Sequence, residues 1–257
     1  MDENEKAQKL ISRGAELTGA AAGGAIGFFA GGPIGAATGS AAGPVITWSL
    51  QRLGKDFANR MLSSKEEAKV GASLIFAYGK IEEYLKQGRT PRNDHFFNYD
   101  TTGWSASDEI LEGVLLKCKN EHEIKKLKFV STIYANVAFM PDVSVEGANW
   151  LLQKAQELTY RQLCVIALIK QAHNKGVSWG PNDGDPAFEM EYKSIDEMFS
   201  RDHSPRAVKQ YEETGEGLDI LGLSRTGEFC YRVMGLHEIP EADLRRLSPR
   251  FPRAFTD

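Results

Sequence analysis

No charged residue stands between Glu16 and Arg52. That absence separates the stretch from an ordinary surface helix, which carries charge on its solvent side. Cysteine is scarce. Cys118, Cys164 and Cys230 are far apart, and no two form a CxxC pair. A disulfide framework is excluded by that spacing, and the pattern is that of reduced, buried thiols facing a cytoplasm. His and Cys never cluster at ligand spacing, so no metal site and no cofactor is expected. A basic excess is also missing. The net charge of −4 argues against a protein that coats nucleic acid. There is no GxxxxGK[ST], no GxGxxG after a candidate strand and no GxSxG elbow, so three common phosphate-binding and hydrolytic sites are not expected. The segment ahead of the uncharged stretch, residues 1–16, mixes acidic and basic residues along a polar helix. It lacks the basic n-region and compact apolar core of a secretory signal, so cleavage is not expected.

What fills residues 17–51 is glycine and alanine. Gly19, Gly23, Gly27, Gly31, Gly35, Gly39 and Gly43 recur at every fourth position. Residues four apart stack along one side of a helix, and a row of glycines there lets another helix approach closely. The run exceeds the roughly 20 residues of one membrane span. Gly31-Gly32-Pro33 interrupts it, which predicts either a kinked span or a hairpin with short arms. Apolar weight comes from Ile26, Phe28, Phe29, Ile34, Val45, Ile46, Trp48 and Leu50. Arg52, Lys55, Arg60 and Lys65 follow, the charge pattern of a cytoplasmic flank, with Trp48 at the position of an interfacial anchor. So weak a span gains from packing, so conditional insertion is expected, with the glycines in contact and Phe28, Phe29, Ile26 and Ile34 facing lipid; a buried soluble hairpin and a flexible linker are the alternatives for such an Ala/Gly-rich segment.

From Ser63 the chain turns amphipathic, and residues 63–157 are expected to form a helical domain. Val70, Leu74, Ala77, Tyr78, Ile81 and Leu85 recur at helical intervals, with Ser64 and Glu67 as a capping box and Gly88 as a stop. Residues 89–104, which include His95, Phe96, Phe97, Tyr99 and Trp104, form a loop with aromatic anchors. Helices are expected over Ser107–Lys119, Glu121–Phe139, Ser144–Glu157 and Thr159–Asn174, the last capped by Thr159 and Gln162. Residues 158–257 form a C-terminal region. Short helices are expected at Ile195–Phe199, Ser204–Glu213 and Glu228–Met234, and the rhythm around Leu221-Gly222-Leu223 is that of a winged-helix-like unit. The fold class is therefore mainly α.

Polar constellations are sparse. Asp94-His95 and Asp183-x-Asp185 lie in loops, and each lacks the further partners that catalysis or calcium binding requires. His122, His203 and His237 stand alone, and His173 ends a helix, where a cation meets the helix dipole. Arg201, Arg206, Lys209, Arg225 and Arg232 are candidates for contact with a partner or nucleic acid, but many Glu and Asp surround them, which makes nucleic acid the less favoured partner. No catalytic residue is nominated.

The layout resembles the Abi-alpha group of bacterial abortive-infection proteins. The resemblance rests on the Gly/Ala-rich N-terminal segment, the helix running into Pro141-Asp142, and Leu221-Gly222-Leu223 followed by Thr226-Gly227. It implies an anti-phage role in bacteria and carries over no catalytic residue. Together these features lead to two expectations. One is a non-enzymatic toxin-like effector of the bacterial cytoplasm and inner membrane. It would keep its C-terminal domain cytoplasmic, meet the lipid bilayer, assemble as a homo-oligomer through the glycine zipper and form a pore after a protein trigger. The other is a soluble regulator or adaptor that binds a partner or nucleic acid through the winged-helix-like end.

Overall fold

Asp2, Ser63, Ser105 and Thr159 each accept a hydrogen bond from the backbone three residues on, and the side chains of Glu5, Glu66, Asp108 and Gln162 accept one from the cap's own N–H. These reciprocal caps satisfy orphan N–H groups and set where four helices begin. The second box lies one residue earlier than the expected Ser64–Glu67 pair. The computed structural model describes residues 2–19, 23–29, 43–175, 190–191, 193–197, 208–212 and 219–247. The fold is mainly α, and the chain divides into two compact units, Met1–Glu157 and Leu158–Asp257.

The first unit contains α1 (Glu3–Thr18), α2 (Gly23–Phe29), α3 (Gly43–Asn59), α4 (Ser64–Lys86), α5 (Ala106–Asn120), α6 (Leu127–Phe139) and α7 (Val145–Glu157). Every residue of α6 except Lys128 is buried, so this helix is the axis of the unit. Helices α4, α5 and α7 surround it. A helix buried on every side needs its polar groups satisfied in place. Ser131 Oγ donates to Leu127 O at 2.7 Å and lies 2.8 Å from the Ser73 hydroxyl, and Tyr84 donates to Asn136. Glu121 and Lys126, both almost wholly enclosed, form an ion pair at the start of this region.

Helix α1 packs on α4 through Ala7, Leu10, Ile11 and Gly14, one face of a helix. At the crossing Gly14 meets Gly71. A Cβ on Gly14 would run into the Gly71–Ala72 backbone, and a Cβ on Gly71 into Leu10 O, both inside 3.0 Å. Glycine is required here because the two backbones touch.

The described parts of the uncharged N-terminal stretch belong to this same core. Phe28 and Phe29 are 3% and 1% exposed. Phe28 stacks on Tyr78 with centroids 4.9 Å apart, and Phe29 fills the space left by Gly54, where a Cβ would lie 2.7 Å from its ring. On α3, Ile46, Leu50, Leu53 and Phe57 recur at four, three and four residues and are all buried. Among the described residues no helix is long and apolar enough to cross a membrane. This corrects the expectation of a transmembrane, pore-forming element. It overturns equally the lipid-facing assignment of Phe28 and Phe29, whose rings are enclosed by α3 and α4. The side chains of Ile26 and Val45, and the whole of residues 30–42, lie outside the described residues.

The second unit is built on α8 (Tyr160–Asn174), buried continuously from Gln162 to Ile169. Strands β1 (Val208–Glu212) and β2 (Asp219–Leu223) pair antiparallel, with Val208 opposite Leu223 and Glu212 opposite Asp219. Ser224 caps α9 (Arg225–Val233), Gly235 turns the chain in the left-handed region at φ 68°, and α10 (Glu241–Leu247) follows. The helix expected over Ser204–Glu213 is therefore a strand where it is described. Its pairing with β2 overrides the helical spacing, as tertiary context commonly overrides local propensity. Tyr160 donates to Asp243 at 2.9 Å and Lys170 pairs with Glu228, tying α8 to α10 and α9.

Candidate functional site

Large apolar side chains left at the surface of the first unit include Trp48, Tyr99 and Trp104, and these three meet at one place. They are 48%, 45% and 40% exposed. Trp48 stands one helical turn before Arg52 on α3, so both face the same way. Tyr99 and Trp104 come from the loop leading into α5. That loop is closed by Asp100. Its backbone N–H donates to Trp104 O at 2.9 Å, and its Oδ1 accepts from Thr102 N at 2.8 Å and Trp104 N at 3.3 Å. Gly103 supplies the left-handed turn at φ 78°.

The guanidinium of Arg52 lies 5.2 Å from the Trp48 ring centroid, 5.6 Å from Tyr99 and 4.9 Å from Trp104. All three are within cation–π reach. Trp48 and Tyr99 meet edge to face, 5.3 Å apart with an 80° interplanar angle. Arg52 is further held by Nη1 donating to Gly103 O at 3.1 Å and by Nη2 lying 2.8 Å from Asp108 Oδ2. Asp108 is fully buried in the first turn of α5, where a carboxylate favours the helix dipole. Its Oδ2 accepts from Ser105 N and Oγ, while Oδ1 accepts no hydrogen bond among the described residues.

Behind the rings runs a line of hydroxyls. Ser107 donates to Ser49 at 3.3 Å and lies 3.0 Å from the Tyr134 hydroxyl. Burial raises the pKa of Tyr134 and of Tyr99, and the charge of Asp108 adds to both. Both phenols therefore stay neutral across the physiological range. The arrangement offers rigid aromatic faces and a fixed guanidinium, which suits recognition.

The other nominated residues are dispersed. The glycine row is not strung on one helix. Gly19 caps α1 in the left-handed region at φ 63°, Gly23 opens α2, Gly27 is exposed on α2 with nothing near its Cβ position, and Gly43 opens α3. Gly31, Gly35, Gly39 and Ile34 lie outside the described residues. The close helix contact described above uses Gly14 and Gly71, neither of them in the row. Asp94 pairs with Arg92 rather than orienting His95, whose Nδ1 lies 3.0 Å from Asn98. Arg225 and Arg232 are exposed on α9, with Glu228 between them along the helix. Lys209 stands opposite Gly222 in the hairpin, and Arg201, Arg206, Asp183, Asp185 and His203 lie outside the described residues.

Glu121, His122 and Glu123 bring ligand atoms within 4.8 Å of one another. Glu121 is already engaged by the backbone of His122 and Glu123 and by Lys126, whose ammonium occupies the charge position a metal would take. Cys118, Cys164 and Cys230 are free and buried, and burial pushes the Cys118 thiol up to about 11, which makes it a poor nucleophile.

Three comparisons bear on this geometry. No family model, no curated protein and no solved structure matches the chain. The aromatic–arginine cluster must be judged on its own chemistry. In the sequence its parts are visible only separately: Trp48 as an interfacial anchor, Arg52 as flanking charge, Tyr99 and Trp104 as loop anchors. The one local sign was the four-residue spacing of Trp48 and Arg52. Nothing in the sequence links them to residues some fifty positions on.

Proposed function

We propose that the chain is a non-enzymatic regulatory or adaptor protein that engages a partner protein through the Trp48–Arg52–Tyr99–Trp104 surface. One observation carries the reading. Phe28, Phe29, Ile46 and Leu50, which suggested a membrane segment, are enclosed in the first unit, whereas three large aromatic residues gather exposed around one arginine. Trp, Tyr and Arg are the residue types that dominate binding energy at protein interfaces. Exposed aromatic clusters of this kind mark interaction surfaces.

The second unit fits the same role. Hairpin β1–β2 leads into α9 and β2 packs on α8, which supports the reading of a winged-helix-like module, and such modules serve protein contacts as well as nucleic acid. The described basic residues favour the protein partner, since Glu228 separates Arg225 from Arg232 and pairs with Lys170. A role in phage defence, implied by the family resemblance, is the cellular setting of this proposal.

A photo-crosslinking residue placed at Trp104 of the full-length protein in the producing cell tests the reading. A discrete adduct is expected that is absent when the crosslinker stands at Met61, an exposed position elsewhere on the first unit. Identical adduct patterns from the two positions would overturn it. In a phage-challenge assay, the Trp48→Ala, Trp104→Ala double variant is expected to lose protection while keeping its cellular level.

A further inference from the structure

The adaptor reading leaves open what the surface recognises, and the next step rests on that reading. Arg52 does not give the cluster a net positive charge. Its guanidinium is compensated by Asp108, 2.8 Å away and enclosed. One further charge stands at the rim. Asp100 is exposed, and hydrogen bonds from the Thr102 side chain and backbone, then from Trp104 and Gly103, hold its pKa below the ordinary value of 3.8. It is therefore ionised at neutral pH and has no ion-pair partner among the described residues. Arg52, Asp108 and Asp100 together carry one negative charge beside three partly open aromatic rings. Tryptophan and tyrosine present electron-rich faces, so the rings and the carboxylate attract ligand charge of the same sign.

We propose that this cluster is a receptor for a cationic side chain, arginine above all, carried by a basic segment of the partner protein. The incoming guanidinium stacks on the exposed parts of Trp48, Tyr99 and Trp104 while its N–H fork reaches the carboxylate of Asp100. Arginine is preferred to lysine because a planar guanidinium stacks and donates two hydrogen bonds at once. Arg52, within cation–π reach of all three rings, keeps them in position. Nucleic acid and acidic peptides are disfavoured, because their anionic groups would meet Asp100 and find the charge of Arg52 already neutralised. The overall charge of −4 points the same way, favouring encounter with basic partners.

The test uses the full-length protein and a blocked tetra-arginine peptide, with tetra-citrulline as its neutral isostere and tetra-glutamate as its opposite. Binding is followed by the indole N–H resonances of Trp48 and Trp104. Tetra-arginine is expected to shift both resonances, and tetra-citrulline and tetra-glutamate neither. Asp100→Asn keeps the acceptor oxygen that closes the loop and removes the charge, so it is expected to weaken binding about fivefold to tenfold. Tyr99→Leu is expected to weaken it similarly, and Tyr99→Phe, which keeps the ring, to retain it. Equal affinity for tetra-citrulline, an unchanged affinity in Asp100→Asn, or tighter binding of tetra-glutamate would each overturn the proposal. Should that happen while the Trp104 crosslinker still yields its discrete adduct, the cation assignment fails and the adaptor reading stands.

Discussion

At the scale of single residues, glycine has two opposite uses in this chain. Gly71 is buried where α1 crosses α4, and a methyl group there would strike the Leu10 carbonyl. Gly27 is exposed on α2 with nothing within 4 Å of its Cβ position. The same substitution should therefore act in opposite directions. Gly71→Ala is expected to destabilise the first unit by about 1–3 kcal/mol, the usual range for forcing atoms into a packed contact. Gly27→Ala should be neutral or stabilise by up to about 1 kcal/mol, since alanine favours the helix. Chemical denaturation of the two variants checks both signs. The glycine row has the regular spacing, yet Gly14 and Gly71 carry the close contact, each inside an ordinary amphipathic helix. A lone glycine in a helix gives no sign of which backbone will lie against it, so that pair was not legible in the sequence.

At the scale of elements, caps and ion pairs hold the ends. Arg92 is nearly enclosed, donates to Val143 O at 2.9 Å, and pairs with Asp94, binding the loop after α4 to the end of α6. The Arg92 hydrogen bonds hold the Asp94 carboxyl below its ordinary value. Burial pushes Glu121 up, but hydrogen bonds from Glu123, Lys126 and His122 outweigh it and leave its pKa lowered too. A carboxylate whose pKa falls on folding stabilises the native state above its unfolded value and loses that contribution as pH drops through its folded value. Thermal stability is therefore expected to decline as pH falls below about 4, and Asp94→Asn to make that decline shallower. An acid limb of the same slope in the variant would remove Asp94 from the account. The helices that pack the first unit were legible because apolar residues recur at three and four and caps mark their starts. The Thr159–Gln162 box lay where the sequence indicated. Val208–Glu212 was not legible as a strand, because what makes it one is its pairing with Asp219–Leu223, a segment further along the chain that no local pattern points to. The aromatic cluster was legible residue by residue and not as an assembly, since α3 and the loop before α5 meet only through the tertiary fold.

At the scale of the whole molecule, the uncharged N-terminal stretch and the helical domain after it are one construction where they are described. Length without charge suggested a bilayer. Physical compensation came from another source: α2 and α3 bury their apolar faces against α4, while Trp48, Tyr99 and Trp104 stay partly exposed around Arg52. The central claim is that Phe29 is a core residue of the first unit. The most direct measurement is the unfolding free energy of Phe29→Ala against the parent protein in denaturant. A loss of about 3–5 kcal/mol is predicted, the range for removing a buried phenylalanine ring. An unchanged midpoint and slope would show that the ring lies outside the core and would contradict the account.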